Sequence, residues 1–149
     1  MPISTHSGAA QPLLPFIRTT SDGEHYLAGS RCASCGEIFV GERHICPACL
    51  ARDQMEAARL SETGTVYSYT IVSRSFPGVP TPFIDVTVDL DDGAHLKGTL
   101  VDVEPTVGAV TFGMPVEVNF REVAPEDEGP PRLCYVFVPA RNATWGEPQ

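Results

Sequence analysis

Cys32, Cys35, Cys46 and Cys49 form the pattern C-x2-C-x10-C-x2-C and take four of the chain's five cysteines. A two-residue gap lets each pair curl into a knuckle that presents both sulfurs to one ion. The ten-residue loop brings the knuckles together, so four thiolates can close a tetrahedral site. Gly36, after the first pair, allows the backbone conformation such a knuckle needs. Zinc is the first choice for this ligand set, and iron in a rubredoxin-type site is the alternative, because the same four thiolates take either. Four protein ligands leave no position for a catalytic water. The ion is therefore expected to be structural, holding a segment too small to have its own core.

Few other residues combine into chemistry. Cys134 sits within an apolar run and reads as a small buried hydrophobe, with no base legible beside it. His6, His25, His44 and His95 are scattered, and His44, between the knuckles, reads as a solvated loop residue. Asp85, Asp89, Asp91 and Asp92 follow from strand alternation and turn chemistry. Nucleophile-elbow, phosphate-loop and dinucleotide fingerprints are missing. The stretch SRSFPGVPTPF (73–83) is different: three prolines stiffen it, and it carries Phe76, Val79 and Phe83. Apolar side chains on such a loop suit either a docking surface for protein or ligand, or a lid folded back on the chain.

The elements that must position these residues are mostly strands. EHYLAGSRC reads as a short strand leading into the first knuckle. ARDQMEAARL (51–60) is helix-prone by propensity. From Gly64 onward the signals are β: TVYSYTIVS is rich in β-branched and aromatic residues, and FIDVTVDL alternates with Ile84, Val86, Val88 and Leu90 on one face. A DDG turn then makes a hairpin with AHLKGTLV; PVEVNF alternates again, and LCYVFVP is apolar on both faces. Five short strands without a helix between them suggest a small closed or nearly closed antiparallel barrel. Residues 1–20 read as an arm ordered only where it docks, and ARNATWGEPQ as a loose tail.

Charge and termini narrow the function. The net charge is −9. Residues 31–59 balance four arginines against four carboxylates, whereas residues 60–149 hold five basic and thirteen acidic side chains. Such a surface repels phosphate backbones, so no nucleic-acid partner is expected. No run approaches the roughly 18 apolar residues of a membrane span. The N-terminus has neither the basic start nor the apolar stretch of a secretory signal, so a cytoplasmic protein with reduced thiols is expected.

The order GSRCASCGEIFVGERHICPAC, GTVYSYTIV, DVTVDLDDGAHLKGTLVDVEP and GMPVEVNFRE resembles the acyl-CoA-associated zinc-ribbon/OB-fold family, over residues 25–140. The resemblance implies a mainly β chain: an N-terminal arm (1–24), a rubredoxin-like zinc ribbon (25–60), a five-stranded OB-fold barrel (61–140) and a tail (141–149). It implies Zn2+ on Cys32, Cys35, Cys46 and Cys49. It also implies a non-catalytic accessory subunit that joins a thiolase-type catalytic subunit in a hetero-oligomer and meets acyl-CoA through that complex. Phe76, Val79 and Phe83 are then candidates for partner or substrate-entrance contact, and Arg31, Arg43, Arg52 and Arg59 for the CoA phosphates. The family pattern makes MEAARLSETGTV a strand entering the barrel, and this is preferred to the helix that propensity suggests. Residues 1–25 lack the helix with a Phe-Trp pair with which many members begin. Two other readings stand beside this one. A single-stranded nucleic-acid module would need a basic, aromatic groove, and a rubredoxin-like electron carrier would need a glycine after the second pair, where CPACL has Leu50.

Overall fold

The computed structural model describes residues 9–125 and 128–141. The first eight residues of the expected arm and residues 142–149 of the expected tail lie outside the described residues. Ten strands make up the regular structure, and no helix occurs among the described residues. None is therefore long and apolar enough to cross a membrane.

The alternation of residues 83–90 becomes strand β7 (Phe83–Leu90), with Ile84, Val86, Val88 and Leu90 buried and the residues between them half-buried. A tight turn at Gly93, where φ is 102°, returns the chain into β8 (His95–Leu100), as the DDG signal predicts. On the other side of β7 runs β6 (Thr63–Val72), which also pairs with β9 (Pro115–Val123). Strand β10 (Arg132–Pro139) pairs with β9 over its whole length and meets β8 through Phe137 and Leu100. The ring β6-β7-β8-β10-β9 is thus closed. The closure corrects the all-antiparallel expectation: the β8–β10 seam is parallel, because β9 lies between them in sequence and reverses the chain once more.

One strand must bend sharply for a ring of five to close. That strand is β6, whose register with β7 slips between Val66 and Ser68, leaving Tyr67 in a bulge. The N–H of Val66 donates to Met114 (2.9 Å) and that of Gly113 donates to Val66 (2.7 Å), so the bend is fastened to the loop before β9.

The ribbon is a second small sheet built on β3 (His25–Cys32). Strand β2 (Ile17–Thr19) pairs with its first residues, β4 (Ile38–Val40) with its later ones, and β5 (Met55–Arg59) with residues 28–32. The helix that propensity suggests for 51–60 is not formed. Pairing with β3 and burial of Leu60 outweigh the modest helix preference of Met, Glu and Ala, so the segment is extended as the resemblance implies. It is broken at residues 60–62, however: β5 stays in the ribbon and β6 alone belongs to the barrel. The arm docks twice. Strand β1 (Gln11–Pro12) runs parallel to β10, and β2 then crosses to the ribbon.

The two sheets share one hydrophobic cluster. Ile17, Leu27, Ile38 and Leu60 of the ribbon pack with Val86, Val88, Leu96 and Phe137 of the barrel without a break. Each such side chain contributes about 1.5–3 kcal/mol by leaving water. Packing is tightest at Gly64, where a Cβ would stand 2.3 Å from the carbonyl oxygen of Asp89 and 2.9 Å from the Cα of Leu90. A methyl group there must push β6 off β7. Gly64→Ala is expected to cost about 1–3 kcal/mol and to lower the thermal midpoint by about 2–4 °C for each of those. Gly129→Ala, whose nearest atom would be 3.9 Å away, should leave the midpoint unchanged in the same melting experiment.

Candidate metal centre

Strand β3 ends at Cys32, and the first knuckle turns on that residue. The N–H of Gly36 donates to Cys32 O (2.8 Å), with Gly36 at φ 81°. The second knuckle repeats the arrangement, with Leu50 N–H donating to Cys46 O (2.9 Å) and Leu50 at φ 65°. The missing glycine therefore does not mean a missing conformation. Leu50 holds the left-handed backbone itself, at a strain of order 1–3 kcal/mol for a bulky residue, while its side chain is 73% exposed. Flanking bonds from Cys32 N–H to Glu37 O and from Cys46 N–H to Ala51 O, 2.8 and 3.0 Å, fix the bases of the knuckles.

All four sulfurs lie within 4.8 Å of one another, with Cys32–Cys49 at 3.7 Å and Cys35–Cys46 at 3.6 Å. A tetrahedral ion with metal–sulfur bonds of about 2.3 Å sets sulfurs about 3.8 Å apart, so the residues fit the group. Cys32 and Cys46 are buried, whereas Cys35 and Cys49 face solvent. Without a cation the four thiols cannot all ionise. Cys46 is brought down to about 7, chiefly by the N–H of Cys49 and, against burial, by that of Ala48. At Cys35 the N–H of Glu37 pulls the thiol down, but burial and the three neighbouring cysteines together push it up to about 12. A divalent cation removes that conflict. The four cysteines are therefore placed to bind a metal, and with all four bound no ligand position is left for a reactant.

The arginines singled out in the sequence divide. Arg43 and Arg59 line a groove of about 850 Å³ on the outer face of the ribbon; Arg31 and Arg52 do not. Arg31 donates to Gly36 O (3.0 Å), and Arg59 is ion-paired with Glu24 and stands 5.1 Å over the Tyr26 ring. The same groove holds Arg18, Phe16 and Tyr26, which sequence reasoning did not select. Alternation along β3 and β5 could have placed Tyr26, Ala28, Ser30, Ala57 and Arg59 on one face, but only once the pairing was known. His44 is an exposed groove residue.

In the loop between β6 and β7, Phe76 is 84% exposed and Val79 is also exposed, so this loop does not fold back as a lid. Phe83 is half-buried at the start of β7. Two further apolar side chains stand in water in the loop before β9: Val107, 95% exposed, and Phe112, 74% exposed and 5.5 Å from the ring of Tyr69. Cys134 is half-buried, not fully buried, and pairs across β9 with Arg121.

The knuckles give a direct test of metal dependence. Cys46→Ser is expected to lose bound metal and to lower the thermal midpoint, because structural metal binding is folding free energy. Metal content of the parent protein should fall as pH is lowered, since protons compete for the thiolates. Elemental analysis after dialysis across pH checks both outcomes.

Comparison with known proteins gives a consistent result. The family model for the ChsH2 rubredoxin-like zinc ribbon domain matches residues 22–56, and that for the ChsH2 C-terminal OB-fold domain matches residues 57–121. A DUF35 domain-containing scaffold protein of Methanocaldococcus jannaschii is 34% identical, over 78% of this chain and 83% of its own length. The benzoylsuccinyl-CoA thiolase subunit BbsA of Thauera aromatica is 27% identical over 82% of this chain and 83% of its own. Among solved structures, an Ltp2-ChsH2(DUF35) aldolase chain superposes with a TM-score of 0.61 at 29% identity, covering 76% of this chain and 84% of that one. A four-cysteine zinc ribbon joined to a closed OB-fold barrel, matched along most of the chain by such relatives, places this protein in the DUF35 family of ChsH2-type zinc-ribbon/OB-fold proteins.

Proposed function

We propose that the chain is an accessory subunit of a thiolase-superfamily enzyme that makes or breaks a carbon–carbon bond in an acyl-CoA. The observation that carries this reading is the likeness, over about four-fifths of the chain, to a protein named as a thiolase subunit, together with the fold shared with an aldolase-associated DUF35 chain. The exposed loops add a physical reason. Phe76, Val79, Val107 and Phe112 leave apolar area in water that a partner would cover.

In this role the nucleophile and base belong to the catalytic subunit, and the present chain buttresses it. Phe76, Val79 and Phe83 are proposed to contact the partner or the substrate entrance. The ion in the ribbon is proposed to be zinc, which holds the knuckles, and hence the end of β3, in place. The complex is expected in the cytoplasm, where thiols stay reduced.

Affinity purification of the tagged chain from its native cell should recover a thiolase-type protein in stoichiometric amount, and acyl-CoA turnover should require both chains. Recovery of this chain alone as a stable monomer would overturn the accessory role. Phe76→Asp should weaken the association by about tenfold or more, with metal content unchanged. Elemental analysis should find zinc in a colourless protein; the red of an iron–thiolate site would replace zinc by iron.

A further inference from the structure

The connection between β6 and β7, residues 73–82, leaves the barrel from the pair Val72–Phe83. Pro77, Pro80 and Pro82 stiffen it, because each ring fixes φ. At its tip the N–H of Val79 donates to Phe76 O (3.2 Å), with Pro77 and Gly78 between them and Gly78 at φ 89°. Proline followed by a residue of positive φ is the arrangement of a type II turn. Such a turn brings the Cα atoms of its first and last residues within about 7 Å. Here those residues are Phe76 and Val79, both exposed. The tip stands clear of the rest of the chain, for a Cβ built on Gly78 would meet nothing within 4 Å.

An apolar pair on a stiff, unsupported turn contributes nothing to the core of this chain. What the turn supplies is order in advance: a partner that receives Phe76 and Val79 has little loop entropy to remove. The charge beside the pair selects the pocket. Arg74 is the only charged residue between Val72 and Asp85, and it is exposed. It has no carboxylate partner among the described residues. A guanidinium two residues before Phe76 favours a carboxylate at the rim of whatever receives the turn.

We propose that the turn Phe76–Val79 is a preformed anchor that seats both apolar side chains in a pocket of the thiolase-type partner subunit, with Arg74 meeting a carboxylate on the pocket's rim; this rests on the function proposed above. A second copy of this chain fits less well. Its groove of about 850 Å³ carries Arg18, Arg43 and Arg59 against Glu42 alone, and would set Arg74 against like charge.

Gly78→Ala tests the turn, because alanine resists the left-handed backbone while its methyl group touches nothing. The probe is the thiolase-type subunit that co-purifies with the parent chain. Gly78→Ala should weaken its binding about five- to tenfold, with the thermal midpoint and metal content of the free chain unchanged. Gly78→Asn, which accepts a positive φ more readily, should bind more tightly than Gly78→Ala. Arg74→Ala should weaken binding and flatten the salt dependence of the association rate. This salt series stands even if the Gly78 variants fold poorly. Equal binding by the parent and Gly78→Ala overturns the preformed turn, and an unchanged salt dependence in Arg74→Ala overturns the carboxylate rim. Both results leave the accessory role intact. Self-association of the parent that Phe76→Asp abolishes would give the turn to a second copy and overturn the proposed occupant. Failure of any thiolase-type subunit to co-purify would overturn the accessory role itself, and this contact with it.

Discussion

Four sulfur atoms drawn to within 4.8 Å of one another are stable as thiolates only around a cation, and the ribbon is organised by that demand. Strand β3 carries the constraint inward. Its last residue, Cys32, supplies one of the four sulfurs, while Leu27, five positions earlier, is wholly buried in the cluster shared with the barrel. Strands β4 and β5 are short and would be marginal alone. They are held where they are because the chain must leave Cys35, return to Cys46, and leave Cys49 again within a few residues. Leu50 shows how firmly: a bulky residue sits at a positive φ, with its side chain in water, so that the second knuckle can close.

The inner and outer faces of the ribbon follow from the same pairing. Ile17, Leu27, Ala58 and Leu60 fall on the side that meets the barrel, and the barrel core continues through them. Tyr26, Ala28, Ala57 and Arg59 are left on the outer face with the buried Ser30 between them, where small side chains make a groove instead of a second core. The ion pair of Arg59 with Glu24 and its closeness to Glu62, 4.0 Å away, tie β5 to the β2–β3 turn and to the passage into the barrel. Burial raises the carboxyl of Glu62, opposed by Arg59.

What could be read from the sequence was what depends on neighbours in the chain. Cysteine spacing is local, and so is the alternation of Ile84, Val86, Val88 and Leu90 or the turn at Gly93. These were all legible. Strand β5 was not legible from propensity, since MEAAR favours helix weakly and becomes a strand through bonds to residues 28–32. Strands β1 and β2, of two and three residues, exist only by docking on β10 and β3. The parallel β8–β10 seam rests on a single register pair between residues far apart in sequence. Arg18 joined the groove for the same reason: its neighbours there come from strands that only the fold brings beside it.

The continuity of the core bears on how such a chain can be divided or inherited. The border between the two family models, after Glu56, falls inside β5, and the cluster crosses it through Ala58 and Leu60 on one side and Leu27 and Ile38 on the other. Two sequence modules here are one thermodynamic body. Free energy gained if the knuckles close on an ion would be felt through that cluster in the strands of the barrel as well as in the ribbon.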